Sequence, residues 1–530
     1  MKPRVYALAV PLVLLFFLCL AAYAGSLTND FVWDDGLLIQ SNPRIESFSN
    51  IPQVFKEDLF YMSAERKTGY YRPILIVSYM FDYVLWKRNP FGFHLTNVLL
   101  QFVTAVIVFF LFRYLMQDKW KGFFVASLFS VHPAFYPIVG YVAGRSDILG
   151  LFFGILSFYL AVLSFNDEKK RILVLPSLIS YGLAILSREY YLIMPLFSAA
   201  YLVLLKKDHL PKKLISLYFG GCLSLLLIYL WLRVPLLNTP RETGGIAGEL
   251  FWIRVGLLPY IVTNYLITLL VPFDVHMGKG LVYQSLAEPR FILSDAAAIG
   301  LICFLWYFSR KGKNLEKFFL SWFLIAIIPL SHLLYPLSAV VADHWIYLGS
   351  LGIFGILSCY WRRWLIRWGK VWGIVGLVGL VSIYAGVTVY QGQFWKDEEV
   401  FFKRLIEKNP RDGQFYYNLG WAYEKRGDYP EALTLYDQAI RMRENALFFW
   451  SRGHLELRMG QLDKALSDFQ RAVQLKPDWI DYHNDLGVAY AKLGMLEKAK
   501  EEWLWVLKFD PKSSAAQRNI KAITRSSSPE

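Results

Sequence analysis

A bilayer core about 30 Å thick takes about 20 apolar helical residues to cross, and residues 1–391 of this 530-residue chain hold one such apolar run after another. From 392 onward the runs stop and the sequence reads as a polar helical domain. Charged residues make up 18% of the chain, against about 25% in soluble chains, and the shortfall lies in the first part alone. The expected architecture is all-α: a polytopic helical bundle at 1–391 and a soluble helical unit at 392–530. Spans are expected at 6–25, 95–115, 122–139, 147–165, 172–187, 190–205, 214–232, 291–309, 318–335, 344–360 and 371–391. That makes about eleven, separated by charge-rich turns and by Pro or Gly. The first run has an alternative reading. Lys2 and Arg4 precede Tyr6–Leu20 and then Ala22-Tyr23-Ala24, the form of a cleavable signal peptide; but the run continues to Ala24 and is long enough to span.

The formal net charge is +14, yet its placement excludes a nucleic-acid groove. Basic residues sit in short loops: Lys119 and Lys121, Lys169–Arg171, Lys206-Lys207 with Lys212-Lys213, Arg310–Lys317, and Arg362–Lys370. Short Lys- and Arg-rich loops mark the cytoplasmic side. With the N-terminus inside, alternation puts 26–94 outside, all these loops inside, and 392 onward outside. Two segments do not fit as spans. Phe251–Val271 contains Arg254, Pro259 and Asn264, and counting it would move the last two basic loops outside; it is read as interfacial or re-entrant. Residues 72–86 are short, contain Asp82, and are read as an amphipathic helix on the membrane surface. The four cysteines, Cys19, Cys222, Cys303 and Cys359, lie in apolar runs without a CxxC pair, so they are read as inert small hydrophobes.

The soluble part repeats itself. Leu419-Gly420, Tyr423, Gly427, Ala432, Tyr436 and Ala439 recur as Gly453, Gly460, Ala465, Phe469, Ala472 and Pro477. They recur again as Leu486-Gly487, Tyr490, Gly494, Ala499, Trp503 and Pro511. Small residues let paired helices approach, aromatics fill the space between them, and proline closes each unit. This is the tetratricopeptide pattern, with repeats at about 413–445, 446–479 and 480–513, a preceding half-repeat at 395–410 and a capping helix at 513–525. The last residues, 526–530, are expected to be disordered. Repeat solenoids of this kind present a concave surface to a protein or peptide; a structural cap or a dimerisation element is the other reading.

The sharpest local feature is Phe31-Val32-Trp33-Asp34-Asp35, just past the outer end of the first span. Partial dehydration and a neighbouring carboxylate both raise a carboxyl pKa. One acid can then take a proton from a hydroxyl nucleophile while the other holds the acceptor. An acidic cap in a wet loop is the plain alternative. His132-Pro133 lies in the outer half of the third span, where it could shape a cavity or simply kink the helix around a satisfied imidazole.

From this motif onward the chain resembles the transmembrane and tetratricopeptide repeat-containing proteins and their bacterial relatives, which are GT-C glycosyltransferases. The resemblance runs through FVWDD…NP, YYRPILIVSYMFDY, NPFGFHLTNVLL, VHPAFYPIVGYVAGRSD, LSREYYLIMP, LLVPFD, IPLSHLLYPL and VADHWIYLGS, in that order, and then the repeats. It implies a GT-C fold and an external active site. It also implies a polyprenyl-phosphate sugar donor (mannose by analogy), inversion, and Asp34 or Asp35 as the base. A cation beside the departing phosphate would stabilise the developing charge. Candidates at outer span ends are Arg72, His94, Arg145 with Asp147, Arg188 with Glu189, Arg233 and His344, with Arg145 and His344 foremost. The chain departs from its relatives at Ser187-Arg188-Glu189, where they carry Ser-Lys-Glu. It departs again at His344, where they carry arginine, a residue that grips phosphate with two donors and is always charged.

The resemblance implies a lipid-linked donor and an acceptor protein or peptide in the repeat groove; the placement of the basic residues argues against nucleic acid. No cofactor is expected, and no His or acidic cluster has metal-ligand spacing. An envelope polysaccharide ligase or polymerase is the second reading, though the loop at 335–343 is short for one. A membrane-anchored repeat scaffold without catalysis is the third. The short loops fit a bacterial inner membrane with the repeats in the periplasm; in a eukaryote the repeats would face the lumen of the endoplasmic reticulum.

Overall fold

The computed structural model describes residues 2–60, 69–206, 211–236, 251–277, 300, 310–334, 337 and 339–526. Among these residues every regular element is helical. The chain divides into two compact units, Met1–Asp397 and Glu398–Glu530.

In the first unit the principal helices are α1 (Lys2–Tyr23), α2 (Pro73–Trp86), α3 (Pro90–Met116), α4 (Lys119–Val131), α5 (Arg145–Asn166), α6 (Val174–Ser187), α7 (Met194–Leu204), α8 (Lys212–Arg233), α9 (Leu258–Leu270), α10 (Asn314–Ile327), α11 (Tyr347–Trp368) and α12 (Lys370–Gly392). Seven helical segments among the described residues are long and apolar enough to cross a membrane, or eight if the bent pair Lys119–Val131 and Pro133–Val139 is one span. The unit is an integral membrane bundle.

The difference from about eleven has physical reasons. Residues 291–309 lie outside the described residues, apart from 300. The segments expected at 190–205 and 318–335 form helices too short to cross alone, Glu189–Leu204 and Asn314–Ile327. Helix α11 is long, but its tyrosines, tryptophans and arginines keep it from being strongly apolar. Conversely, Phe251–Leu270 qualifies by length and composition, because Pro259 falls in the first turn of α9, where proline is tolerated. Yet Arg254 donates to the His332 carbonyl (3.1 Å) and Thr268 to Asp343 (3.0 Å), so both halves of this segment are tied to 332–343.

Tertiary contacts sort the helix ends into two groups. The Asp30 amide donates to the Lys396 carbonyl (2.9 Å), and the Asn29 side chain donates to the Tyr136 hydroxyl, so the segments after α1 and α12 meet. Residues 72–97, 136–147 and 188–190 bond to one another at this same end. At the other end, Ser358 donates to the Lys121 carbonyl (3.1 Å) and Arg363 pairs with Glu316 (2.6 Å). The basic loops at Lys119–Lys121, Arg310–Lys317 and Arg362–Lys370 belong to this second end. Helix α2 buries Leu75, Ile76, Tyr79, Met80 and Asp82 and exposes Phe81, Val84 and Leu85, an apolar outer face on a helix too short to span.

The second unit is a stack of antiparallel pairs: α13 (Glu398–Lys408) precedes α14 (Gly413–Arg426) with α15 (Tyr429–Met442), α16 (Ala446–Arg458) with α17 (Leu462–Leu475), and α18 (Ile480–Lys492) with α19 (Leu496–Phe509), and α20 (Ser514–Ser526) follows. Gly420, Gly453 and Gly487 face Tyr436, Phe469 and Trp503 on the paired helix. A Cβ at Gly487 would lie 2.6 Å from the Trp503 indole nitrogen, so the ring dictates glycine there. Gly427, Gly460 and Gly494 have φ of +87°, +76° and +77° and turn the chain out of the first helix of each pair. Of residues 526–530, expected to be disordered, Ser526 ends α20 and 527–530 lie outside the described residues.

Candidate functional site

Helix α1 ends at Tyr23 and one further turn at Thr28; beyond them Trp33 adopts φ +52°, a left-handed conformation that bulky residues rarely take. The Trp33 ring stacks on Tyr141 at 6.3 Å. The Tyr141 hydroxyl accepts the Asp34 amide (3.1 Å). The Asp34 carbonyl then accepts the amides of Leu37 and Leu38 and starts the single turn Gly36–Gln40. Asn42 caps the next turn and accepts the Arg44 amide, while buried Arg44 donates to the carbonyls of Asp58 and Leu59. The loop is thus held from both sides.

The two acids are not equivalent. Asp35 is fully buried. Its carboxylate accepts the amides of Ala143 (2.8 Å) and Val32 (3.3 Å). Burial pushes its pKa well above the usual carboxylate value; the amide bonds from Val32 and Ala143 pull it down in part, and neighbouring Asp34 pushes it up again. Asp34 is half-buried.

The cationic candidates separate into three groups. Arg72 grips Glu189 with Nε and Nη2 (3.2 and 3.0 Å), and its guanidinium lies 4.7 Å over the Tyr70 ring. Arg188 pairs with Asp147, and both arginines reach the Ser146 hydroxyl. Arg233 donates to the Tyr229 hydroxyl (3.3 Å) and, with Arg72 and Arg188, bears electrostatically on Glu189. The five charged groups, three guanidiniums and two carboxylates, leave one net positive charge in a partly accessible cluster, with Arg72 13% and Arg188 16% exposed. His344 is half-buried against Trp345, within electrostatic reach of Arg188. Its neighbour Asp343 accepts from Thr268 and from the His276 amide.

Arg145 stands apart. It is wholly buried, paired with Asp82 (2.5 Å), and donates to Asn97 and the Phe93 carbonyl (2.6 and 2.8 Å). It lies over the Tyr79 ring. A guanidinium so enclosed joins α2, α3 and α5 and presents no surface to a ligand. His94 is likewise buried, facing the backbone of Asp30 and Gly140 beneath the acidic loop. His132 sits at the 55° bend; its Nε2 meets the Leu269 carbonyl and its Nδ1 accepts the Ala134 amide. It is a satisfied kink residue.

One segment, 141–147, joins the two chemistries. Tyr141 and Ala143 hold the acid pair, and Ser146 and Asp147 hold the arginines. From Ala143 to Ser146 is about one helical turn, ~5 Å of rise. Tyr141, Asn97 and Asp82 were not among the sequence candidates. An amide and a carboxylate in otherwise apolar helices were the available signal. Among the described residues no three His, Cys, Asp or Glu side chains stand close enough to hold a metal ion.

These features define a class: an all-helical integral membrane protein with a charged site at one end of its bundle and a tetratricopeptide-repeat unit. The tetratricopeptide families match residues 401–434 and 453–494. Its curated relatives include TMTC proteins. The chain is 24% identical to "Protein O-mannosyl-transferase TMTC1" of Homo sapiens over 79% of its own length and 54% of that protein. It is 25% identical to human "Protein O-mannosyl-transferase TMTC4" over 79% of the chain and 64% of that protein. The chain thus spans between about half and two thirds of the length of these relatives. Among solved structures, the oligosaccharyltransferase AglB from Archaeoglobus fulgidus, in complex with an inhibitory peptide and a dolichol-phosphate, aligns with 79% of this chain and 60% of its own at 14% identity and a TM-score of 0.44.

Proposed function

We propose that the chain is an integral membrane glycosyltransferase that moves a sugar, mannose by the name its relatives carry, from a polyprenyl-phosphate donor to a hydroxyl of an acceptor protein. The observation that carries the reading is the 141–147 segment, which holds an acid pair at its start and a net cationic cluster at its end.

In this reading Asp34, half-buried, is the base: it takes the proton of the acceptor hydroxyl as that oxygen bonds to the anomeric carbon. The bond from that carbon to the donor phosphate breaks on the opposite face, with inversion. The phosphate leaves with its electron pair toward Arg72, Arg188 and Arg233, whose charge stabilises it. Asp35 is a positioning residue; its two amide bonds fix the loop that carries Asp34. Arg145 and His94 hold the floor beneath and do not touch the donor. His344 borders the cluster and supplements Arg188. The membrane unit carries catalysis and the repeats recruit the acceptor. The acid-pair end is the periplasmic or luminal side, since the basic loops gather at the other end.

The donor class is tested by presenting purified full-length protein and an acceptor protein with radiolabelled polyprenyl-phosphate mannose or with GDP-mannose. Label should pass to protein only from the lipid-linked donor. Transfer from the nucleotide sugar alone would discard the reading.

A further inference from the structure

The basic end of the bundle, away from the acid pair, carries a groove that sugar transfer does not use. It is an open cleft of about 550 Å³ lined by α11, α12 and Phe124 of α4, within the size range of small-molecule sites. Its walls are apolar and aromatic, with Phe124, Trp361, Trp364 and Leu380 among them, and Arg363 and Arg367 belong to the lining.

The groove is built into the fold. Gly369, at φ +93°, folds α12 back along α11. The Trp361 indole donates to the Gly373 carbonyl (3.1 Å). A Cβ at Gly376 would meet the Trp364 ring at 3.0 Å, so the helices approach closely at that point. Arg363 lies 4.8 Å over the Tyr360 ring and pairs with Glu316 through Nη2 while half its side chain stays exposed. In sequence, Lys313 and Lys317 flank Glu316, and Arg367 and Lys370 follow Arg363. Apolar walls, a cationic opening, and tyrosine and tryptophan, rings that favour a membrane interface, match one molecule with an acyl chain and a phosphodiester.

We infer that this groove binds an anionic glycerophospholipid from the leaflet on the basic side. Its acyl chain lies along Phe124, Trp364 and Leu380 and its phosphate meets Arg363 and Arg367. A zwitterionic lipid fills the walls equally well but adds an ammonium to a cationic opening. Inorganic phosphate matches the arginines and leaves the walls empty.

The test uses the full chain in neutral detergent, with thermal unfolding and native mass spectrometry as readouts. Probes are dioleoylphosphatidylglycerol, dioleoylphosphatidylcholine and inorganic phosphate. Phosphatidylglycerol should raise the unfolding temperature and remain bound at one per chain, while the other two do neither. Arg367→Gln should weaken its binding about tenfold, the loss of one charge-assisted contact. Leu380→Trp, which fills the groove, should abolish it. Neither variant touches the acid-pair end. Equal stabilisation by phosphatidylcholine, reproduction of the shift by phosphate, or unchanged phosphatidylglycerol binding in both variants would each overturn the inference. Should either variant fail to fold, the contrast among the three probes on the wild-type chain decides alone.

Discussion

The repeat unit and the membrane bundle both pack helix on helix, but they bury different things. In the repeats, glycine meets an aromatic ring at Gly420, Gly453 and Gly487. Many of the charges there stay near water; the Lys403 and Glu399 side chains are 56% and 28% exposed. In the bundle a complete ion pair, Arg145 with Asp82, is buried at 0% and 4%, and further pairs crowd the same end. A buried ion pair gives little net stability, yet breaking one is costly. Charge concentrated at one end of a membrane unit is therefore better explained by a task than by the fold's needs. The repeats follow the opposite rule: their regularity is what stabilises them, and their chemistry lies in what they hold.

The contrast can be broken most forcefully at Arg145. Arg145→Met strands Asp82 among apolar side chains, and unfolding in detergent should show a loss of about 3–5 kcal/mol. Adding Asp82→Asn should return part of it. A loss below ~1 kcal/mol, the scale of an exposed pair, would mean that the pair is effectively hydrated. Next comes Gly487→Ala, which drives a Cβ into Trp503. It should cost the repeats about 1–3 kcal/mol, the scale of overpacking, seen by limited proteolysis of residues 398–530, and leave sugar transfer per folded molecule intact.

The two units should also differ in where pH acts. A carboxyl whose folded pKa is raised binds its proton more tightly when folded. Asp35, raised by burial, therefore favours folding below the ordinary carboxylate value of about 3.9 and loses that contribution as pH rises above it. Asp35→Asn should remove this slope and gain on the wild type with rising pH. In the repeats, burial would lower the pKa of His483, but Glu502 and the Pro477 carbonyl outweigh it, and the net direction is up. Its contribution is complete below about 6.5 and is lost above, so His483→Gln should flatten the decline of the repeats there. Denaturation curves across pH for the two variants separate the onsets. The smallest effect is expected at Arg88 and Glu46, 38% and 43% exposed; Glu46→Ala should change stability by no more than ~0.5 kcal/mol.

The repeats were legible in the sequence because their partners are near in the chain: each glycine and its ring lie within one period. So were most of the apolar runs, whose length alone reports them. The charged end was legible only in part. Asp34 and Asp35, and Arg188 with Glu189, stand beside each other in sequence. The pairing of Arg72 with Glu189 crosses 117 residues, and that of Asp35 with the Ala143 amide crosses 108. No local pattern shows that Arg145 turns inward to Asp82 and Asn97, whereas Arg72 and Arg188 stay partly accessible. The same holds at α9: a proline that reads as a breaker is harmless once it falls in a first turn.

In the proposed chemistry Asp34, held by the Tyr141 hydroxyl and by the loop that Asp35 fixes, takes the acceptor's proton. Single-turnover transfer from polyprenyl-phosphate mannose by Asp34→Asn, compared with wild type at equal unfolding temperature, tests it most directly. A loss of about 100-fold or more is expected, the usual scale of general-base removal, with donor binding retained. Transfer within twofold of wild type would contradict it.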